Sequence, residues 1–196
     1  MLVAVIWAGL TPVPDILVGA DGRTFAARGA DGRLAFHHTG GDTFATREWL
    51  AADADGRDVH DPSLGNGIAC DPSGCIGKLA DGRLVSHALA PDALEEDCER
   101  AVLIVTARDT PPGCAATVVG RDLWRSRGAL ALRRDGSGFV MESARPPNYD
   151  RPWAPASLPR LAPPASQASS AGTVPEAPRP SPRDATPPAE ALDPND

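Results

Sequence analysis

Short apolar and alternating runs, separated by turn-forming dipeptides, follow one another up to about residue 145, and this pattern predicts a strand-rich unit. The tetrapeptide Ala-Asp-Gly-Arg occurs at residues 20, 30, 54 and 80. At 20, 30 and 80 it stands between strand-like runs: ILVG and TFAAR, TFAAR and LAFHH, IGKL and LVSHAL. Asp-Gly supplies the positive φ of two-residue hairpin turns, so these three copies predict hairpins. Their spacing does not continue, which favours recurrent turn chemistry over a solenoid repeat. Asp71-Pro72-Ser73-Gly74 fits a type I turn between IAC and CIGKL, and that hairpin would set Cys70 opposite Cys75.

Helical spacing enters in three places. Asp42 is a candidate N-cap for TFATREWLAADA, where Phe44, Trp49 and Leu50 fall roughly on one face and the fourth Asp-Gly, Asp55-Gly56, marks the end. PDALEEDCERA starts with Pro91 and gathers its acids in the early turns, where the helix dipole favours them. RDLWRSRG reads as a short third helix. Between these lie AVLIVTA, an unbroken apolar run typical of a strand buried on both faces, and CAATVVG, a further strand. ALALRR and GFVMESA form a terminal hairpin around Asp135-Gly136-Ser137-Gly138. The expected class is α+β (mixed α/β), a strand-rich sheet covered by two or three short helices, over residues 13–147.

Composition changes the picture at both ends. From residue 148 to 196 the chain is rich in Pro, Ala and Ser with scattered apolar residues, too few to offset the entropy of ordering, and a disordered tail is expected. Within it, only Tyr149 and Trp153 offer aromatic rings that could dock on the domain. At the other end MLVAVIWAGL is apolar but shorter than the about 20 residues a bilayer span needs, and it has no basic leader. Residues 1–12 read as the end of a truncated membrane helix, with a buried first strand as the alternative. The formal charge of -7 argues against a strong stand-alone nucleic-acid binder.

Catalytic chemistry finds little support. His37, His38, His60 and His87 lack metal-ligand spacing, and adjacent His37 and His38 on a strand point to opposite faces. Ser126 and Ser137 lie in no nucleophile elbow, and Gly29, Gly32, Gly40 and Gly41 form no phosphate-binding fingerprint. No catalytic, cofactor-binding or metal-binding residue is assigned. Cys70, Cys75, Cys98 and Cys114 are separated by 4, 22 and 15 residues, a poor match to the two tight pairs of a zinc site. Two disulfides, Cys70 with Cys75 and Cys98 with Cys114, are the preferred reading; three pairings are open on sequence alone, and four buried thiols are the alternative. Arg121, Arg125 and Arg127 surround Trp124 and are candidate contacts to single-stranded DNA, although solvated arginines around a core tryptophan are the more ordinary arrangement.

Taken together, PDILVGADGRTFAARGADGRLAFHHTGGDTFATREWLAADADGRD, GIACDPSGCIGKLADGRLVSHALAPDALEEDCERAVLIVTARDTPPGCAATVV and LWRSRGALALRRDGSGFVMESARPPNYDRPW resemble the C-terminal region of alphaproteobacterial ComEC-family proteins, competence-associated inner-membrane proteins of DNA uptake. The resemblance covers about residues 1–154 and implies a metallo-β-lactamase-like domain. Many family members carry His-x-His-x-Asp-His there. This chain has no such run after GRLAFHHTGGDTFATREWL, and ARDTPPGCAA lacks the later histidine, so the resemblance implies a degenerate, non-catalytic version without the metal-bound hydroxide of hydrolysis. It also implies a periplasmic domain at the inner membrane, where disulfides persist, with the family's membrane channel portion as partner, weak contact with single-stranded DNA at most, and no small-molecule substrate.

Two other readings compete. One is a metal-dependent phosphodiesterase or nuclease with non-standard ligands drawn from His37, His60, His87 and nearby aspartates. The other is a secreted, disulfide-stapled interaction module.

Overall fold

The computed structural model describes residues 12–38 and 43–147. Each Asp-Gly signal between strand-like runs turns the chain back on itself. Strands β1 (Ile16–Val18), β2 (Thr24–Arg28) and β3 (Leu34–His38) form an antiparallel meander. Their turns are longer than the two-residue type predicted from sequence. Gly19 and Thr24 still pair through a 2.8 Å bond, Gly22 N–H donates back to the Gly19 carbonyl, and residues 20–23 lie outside the ladder. The aspartate explains the length. Asp21 Oδ1 accepts the backbone N–H of Arg23 at 2.9 Å, so that group needs no ladder partner, and only Gly22 takes positive φ, at 68°. Asp31, Asp55 and Asp81 hold the N–H of Arg33, Arg57 and Arg83 in the same way, so all four copies of the tetrapeptide share one local device.

The second sheet begins with β4 (Ile68–Cys70), β5 (Gly74–Lys78) and β6 (Leu84–Ala88), again antiparallel. The turn at Asp71 matches its sequence signature, because Asp71 Oδ1 accepts from both Ser73 N–H and Gly74 N–H. Helix α2 (Ala93–Arg100) then carries the chain over to β7 (Ala101–Thr106), which lies parallel to β6, and β8 (Thr117–Gly120) is parallel to β7. A parallel pair requires such a crossover. Helix α3 (Arg121–Arg127) follows, and β9 (Leu130–Asp135) and β10 (Gly138–Ser143) return to the first sheet, where β9 pairs with β1. The two sheets therefore run β10-β9-β1-β2-β3 and β4-β5-β6-β7-β8. This is the α+β class that the sequence predicts.

Packing arranges these elements in four layers. Ile16, Val18, Phe25 and Leu132 of the first sheet share one buried cluster with Val85, Leu103, Val105 and Val119 of the second, so the sheets face each other. The opposite side of the first sheet, through Leu17, Ala26 and Phe36, packs on Leu50 of α1 (Phe44–Ala52). The opposite side of the second, through Ala88 and Ile104, packs on Leu94 and Cys98 of α2. Central strand β7 is thus covered on both faces, as its unbroken apolar run requires.

Helix α1 differs from its sequence reading. Thr46 and Leu50 are its buried residues and Trp49 stacks on Phe36, whereas Phe44, expected on the same face, is 64% exposed in the first turn. The helix stops at Ala52, and the residue in the left-handed region is Ala54 at φ 53°, rather than Gly56. Two ion pairs fix this end: Arg28 of β2 to Asp53 at 2.7 Å, and Arg57 to Asp55 at 2.6 Å. The candidate cap Asp42, residues 1–11 of the expected membrane-helix end, the aromatics Tyr149 and Trp153, and the whole tail 148–196 lie outside the described residues. No described helix is long and apolar enough to cross a membrane.

Candidate functional site

Both sheets end in an edge strand on the same side of the sandwich, β3 of one and β4 of the other. The register decides what these edges present. Phe25 is paired with His37, Cys75 with His87, and Cys70 with Cys75, and directly opposed residues in antiparallel strands point to the same face. Phe25 faces the inter-sheet core, as does Val85, two residues before His87. The two histidines and the two cysteines therefore converge at one end of that core. His37 Nδ1 lies 3.4 Å from Cys70 Sγ, although the two residues belong to different sheets. The His37 and His87 rings stand 5.6 Å apart, edge to face, and the Phe25 ring lies 6.0 Å from His87.

Cys70 and Cys75 are joined as a disulfide, and so are Cys98 and Cys114. These are the two pairings preferred from sequence. The two bonds sit in contrasting places: Cys98 is buried between α2 and the second sheet, whereas Cys70 is exposed on edge strand β4 with Cys75 buried beneath it.

His87 is 3% exposed, and its Nδ1 has no hydrogen-bond partner. Burial above all, and then the neighbouring His37, disfavour its imidazolium and push its pKa down to about 4, against weaker support from the Gly22 backbone and Asp21. At neutral pH the site therefore holds an uncharged imidazole with an open lone pair. Among the described residues, one group of three side chains could gather around a metal ion, His37, Cys70 and Cys75, whose ligand atoms lie within 4.8 Å of one another. Its sulfurs are bonded to each other, and a metal takes thiolates. His60, exposed on the loop before the short 3-10 turn Pro62–Gly65, stands outside this group, as does His87. His37 meets His87, and it lines a shallow hollow together with His60 and Asp61, but among the described residues the set His37, His60, His87 and aspartate does not gather within ligand distance.

No family model, curated protein or solved structure matches the chain. The residues themselves carry what can be said about function.

The arginine patch divides. Arg121 and Arg125 are exposed one turn apart on α3, and Arg127 is half-buried. Trp124 between them is 4% exposed and belongs to the inter-sheet core. A Cβ at Gly22 would stand 2.5 Å from its indole, so this positive-φ glycine lets the turn lie against the ring. Trp124 thus presents no free face for stacking a base, so of the candidate contacts named from sequence only the arginines reach the surface.

Sequence reasoning missed two features because both depend on contacts far apart along the chain. Arg134 of β9 bridges Asp15 at 2.8 Å and Asp81 at 2.9 Å, joining the β9–β1 part of the first sheet to the β5–β6 turn of the second. Burial opposes ionisation of Asp81, but the Arg83 N–H and the Arg134 and Arg83 guanidinium groups outweigh it and hold its pKa at about 2. A groove of about 700 Å³ beside this bridge is lined by Arg33, Arg57, Lys78, Asp31 and Asp81. A second hollow of about 500 Å³, on the outer side of the second sheet, is flanked by Asp92, Glu96, Asp97 and Arg100 of the α2 region. There Ser86 Oγ donates to Asp97 Oδ2 at 2.5 Å, which anchors α2 to β6. The rim of this second hollow also carries Ser73, whose Oγ donates to Asp92 Oδ2 at 3.2 Å.

Proposed function

We propose that this chain is the non-catalytic, metallo-β-lactamase-like C-terminal domain of a ComEC-type DNA-uptake protein, acting as an extracytoplasmic interaction domain at the inner membrane. The observation that carries the reading is the state of the converging site. A hydrolytic metal centre gathers imidazoles and carboxylates, whereas His37 and His87 meet a Cys70–Cys75 disulfide, and no carboxylate joins them within ligand distance among the described residues. Two facing sheets with a helix on each outer side support the fold assignment. Two disulfides support an oxidising compartment. The partner is the membrane channel portion of the same family, and single-stranded DNA is a weak ligand at most.

The sequence of the gene's surroundings tests the family assignment. A polytopic membrane segment, fused upstream of Met1 or encoded beside it, is expected. A gene standing among secreted-protein genes with no such segment near it would instead favour the disulfide-stapled module.

A further inference from the structure

The two disulfides are not equivalent, and the difference points to chemistry. The Cys70–Cys75 hairpin is already closed without its sulfur bridge. Asp71 N–H donates to the Gly74 carbonyl at 2.9 Å, and Asp71 Oδ1 accepts from Ser73 N–H at 2.8 Å and from Gly74 N–H at 2.9 Å. A bond between residues separated by 5 also restricts the unfolded chain less than one between residues separated by 16, as in Cys98–Cys114. Its structural contribution is therefore the smaller of the two.

Its chemical surroundings are the richer. Cys70 is exposed, so its sulfur is open to attack, and exposed disulfides are the labile ones. His37 Nδ1 lies 3.4 Å from Cys70 Sγ, close enough to exchange a proton with it or to support its thiolate. Cys75, the buried partner, stands directly across the strand from His87, whose buried Nδ1 lacks a hydrogen-bond donor. A thiol at Cys75 would bring an S–H donor next to that orphaned acceptor. Cys98–Cys114 packs in an apolar cluster with Leu94, Ala101, Ile104 and Ala116.

We propose that Cys70–Cys75 is a redox-exchange site whose substrate is the dithiol of a partner protein. A partner thiolate attacks Cys70 Sγ and forms a mixed disulfide, while the Cys70–Cys75 bond breaks and its electron pair leaves on Cys75 Sγ. The partner's second thiolate then attacks its own sulfur in the mixed disulfide, and that electron pair leaves on Cys70 Sγ. Two electrons pass from the partner, which becomes a disulfide, and its two thiol protons end on Cys70 and Cys75. His37 is the positioning and proton-transfer residue for Cys70. This inference is independent of the DNA-uptake assignment, and either can fail alone.

The test is reduction of the full-length, folded chain by dithiothreitol across pH 6–9, quenched with an alkylating agent and followed by peptide mass spectrometry that reports each disulfide separately. Cys70–Cys75 is expected to open at least tenfold faster than Cys98–Cys114, and His37→Ala to slow that opening and change the shape of its pH profile while leaving the Cys98–Cys114 rate unchanged. Equal rates for the two bonds, faster opening of Cys98–Cys114, or a His37→Ala profile that overlays the wild type would overturn the proposal. Should His37→Ala fail to fold, His37→Gln, which keeps a polar side chain but cannot take up a proton, supplies the same comparison.

Discussion

Gly77 of β5 lies directly against Ala27 of β2, so that a β-carbon at residue 77 would stand 3.2 Å from the Ala27 Cβ and 3.2 Å from a Val85 methyl. The two sheets can approach this closely there because one of the facing residues has no side chain. Gly77→Ala is expected to destabilise the domain by about 1–3 kcal/mol in urea unfolding, the usual cost of overpacking a core. Ala27→Gly in the same chain removes the opposing carbon. The double variant should then be less destabilised than the sum of the single ones, by about 0.5 kcal/mol or more. Strict additivity, or a Gly77→Ala variant as stable as wild type, would show that the sheets do not meet at this point.

The neutral imidazole of His87 makes stability depend on pH with a definite sign. Its pKa in the folded protein, about 4, lies below the ordinary value of 6.5, so between those values the unfolded chain takes up the proton first. Stability is unaffected by this group above pH 6.5 and falls as pH is lowered to about 4, by roughly 3 kcal/mol from the difference in pKa. Urea midpoints measured from pH 8 to pH 4 should show this decline, and His87→Gln should flatten it. An equally steep decline in the variant would place the titrating group elsewhere.

For the arginine patch, burial of Trp124 leaves charge alone to hold nucleic acid. Binding to a single-stranded oligonucleotide is expected only at low salt. Replacing both Arg121 and Arg125 by Ala should reduce the slope of log affinity against log salt by about 1.4, at ~0.7 for each phosphate contact on a single strand. Tight binding that survives physiological salt, or a slope that does not change, would mean that a different surface holds DNA.

What could be read from the chain and what could not follows the distance between interacting residues. The Asp-Gly turns and the Asp71 turn were legible because each closes on its own neighbours; even the extra length of the first three arises from a bond between residues two apart. The Cys70–Cys75 pairing follows from the hairpin register. The placement of β9 beside β1 was not legible, since Leu130 and Val18 are brought together by the sandwich as a whole. The same holds for the Arg134 bridge and for the meeting of His37 with Cys70, each made between the two sheets. Phe44 was misplaced because apolar spacing in a nine-residue helix cannot say where its buried stripe begins.

The central claim is that the converging imidazoles do not form a hydrolytic metal centre while Cys70 and Cys75 are bonded to each other. Elemental analysis of the protein purified with both disulfides intact, combined with a DNA-cleavage assay with and without chelator, tests this most directly. The account predicts metal well below one equivalent per chain and no chelator-sensitive cleavage. One tightly held equivalent of zinc or manganese, together with cleavage that a chelator abolishes, would contradict it.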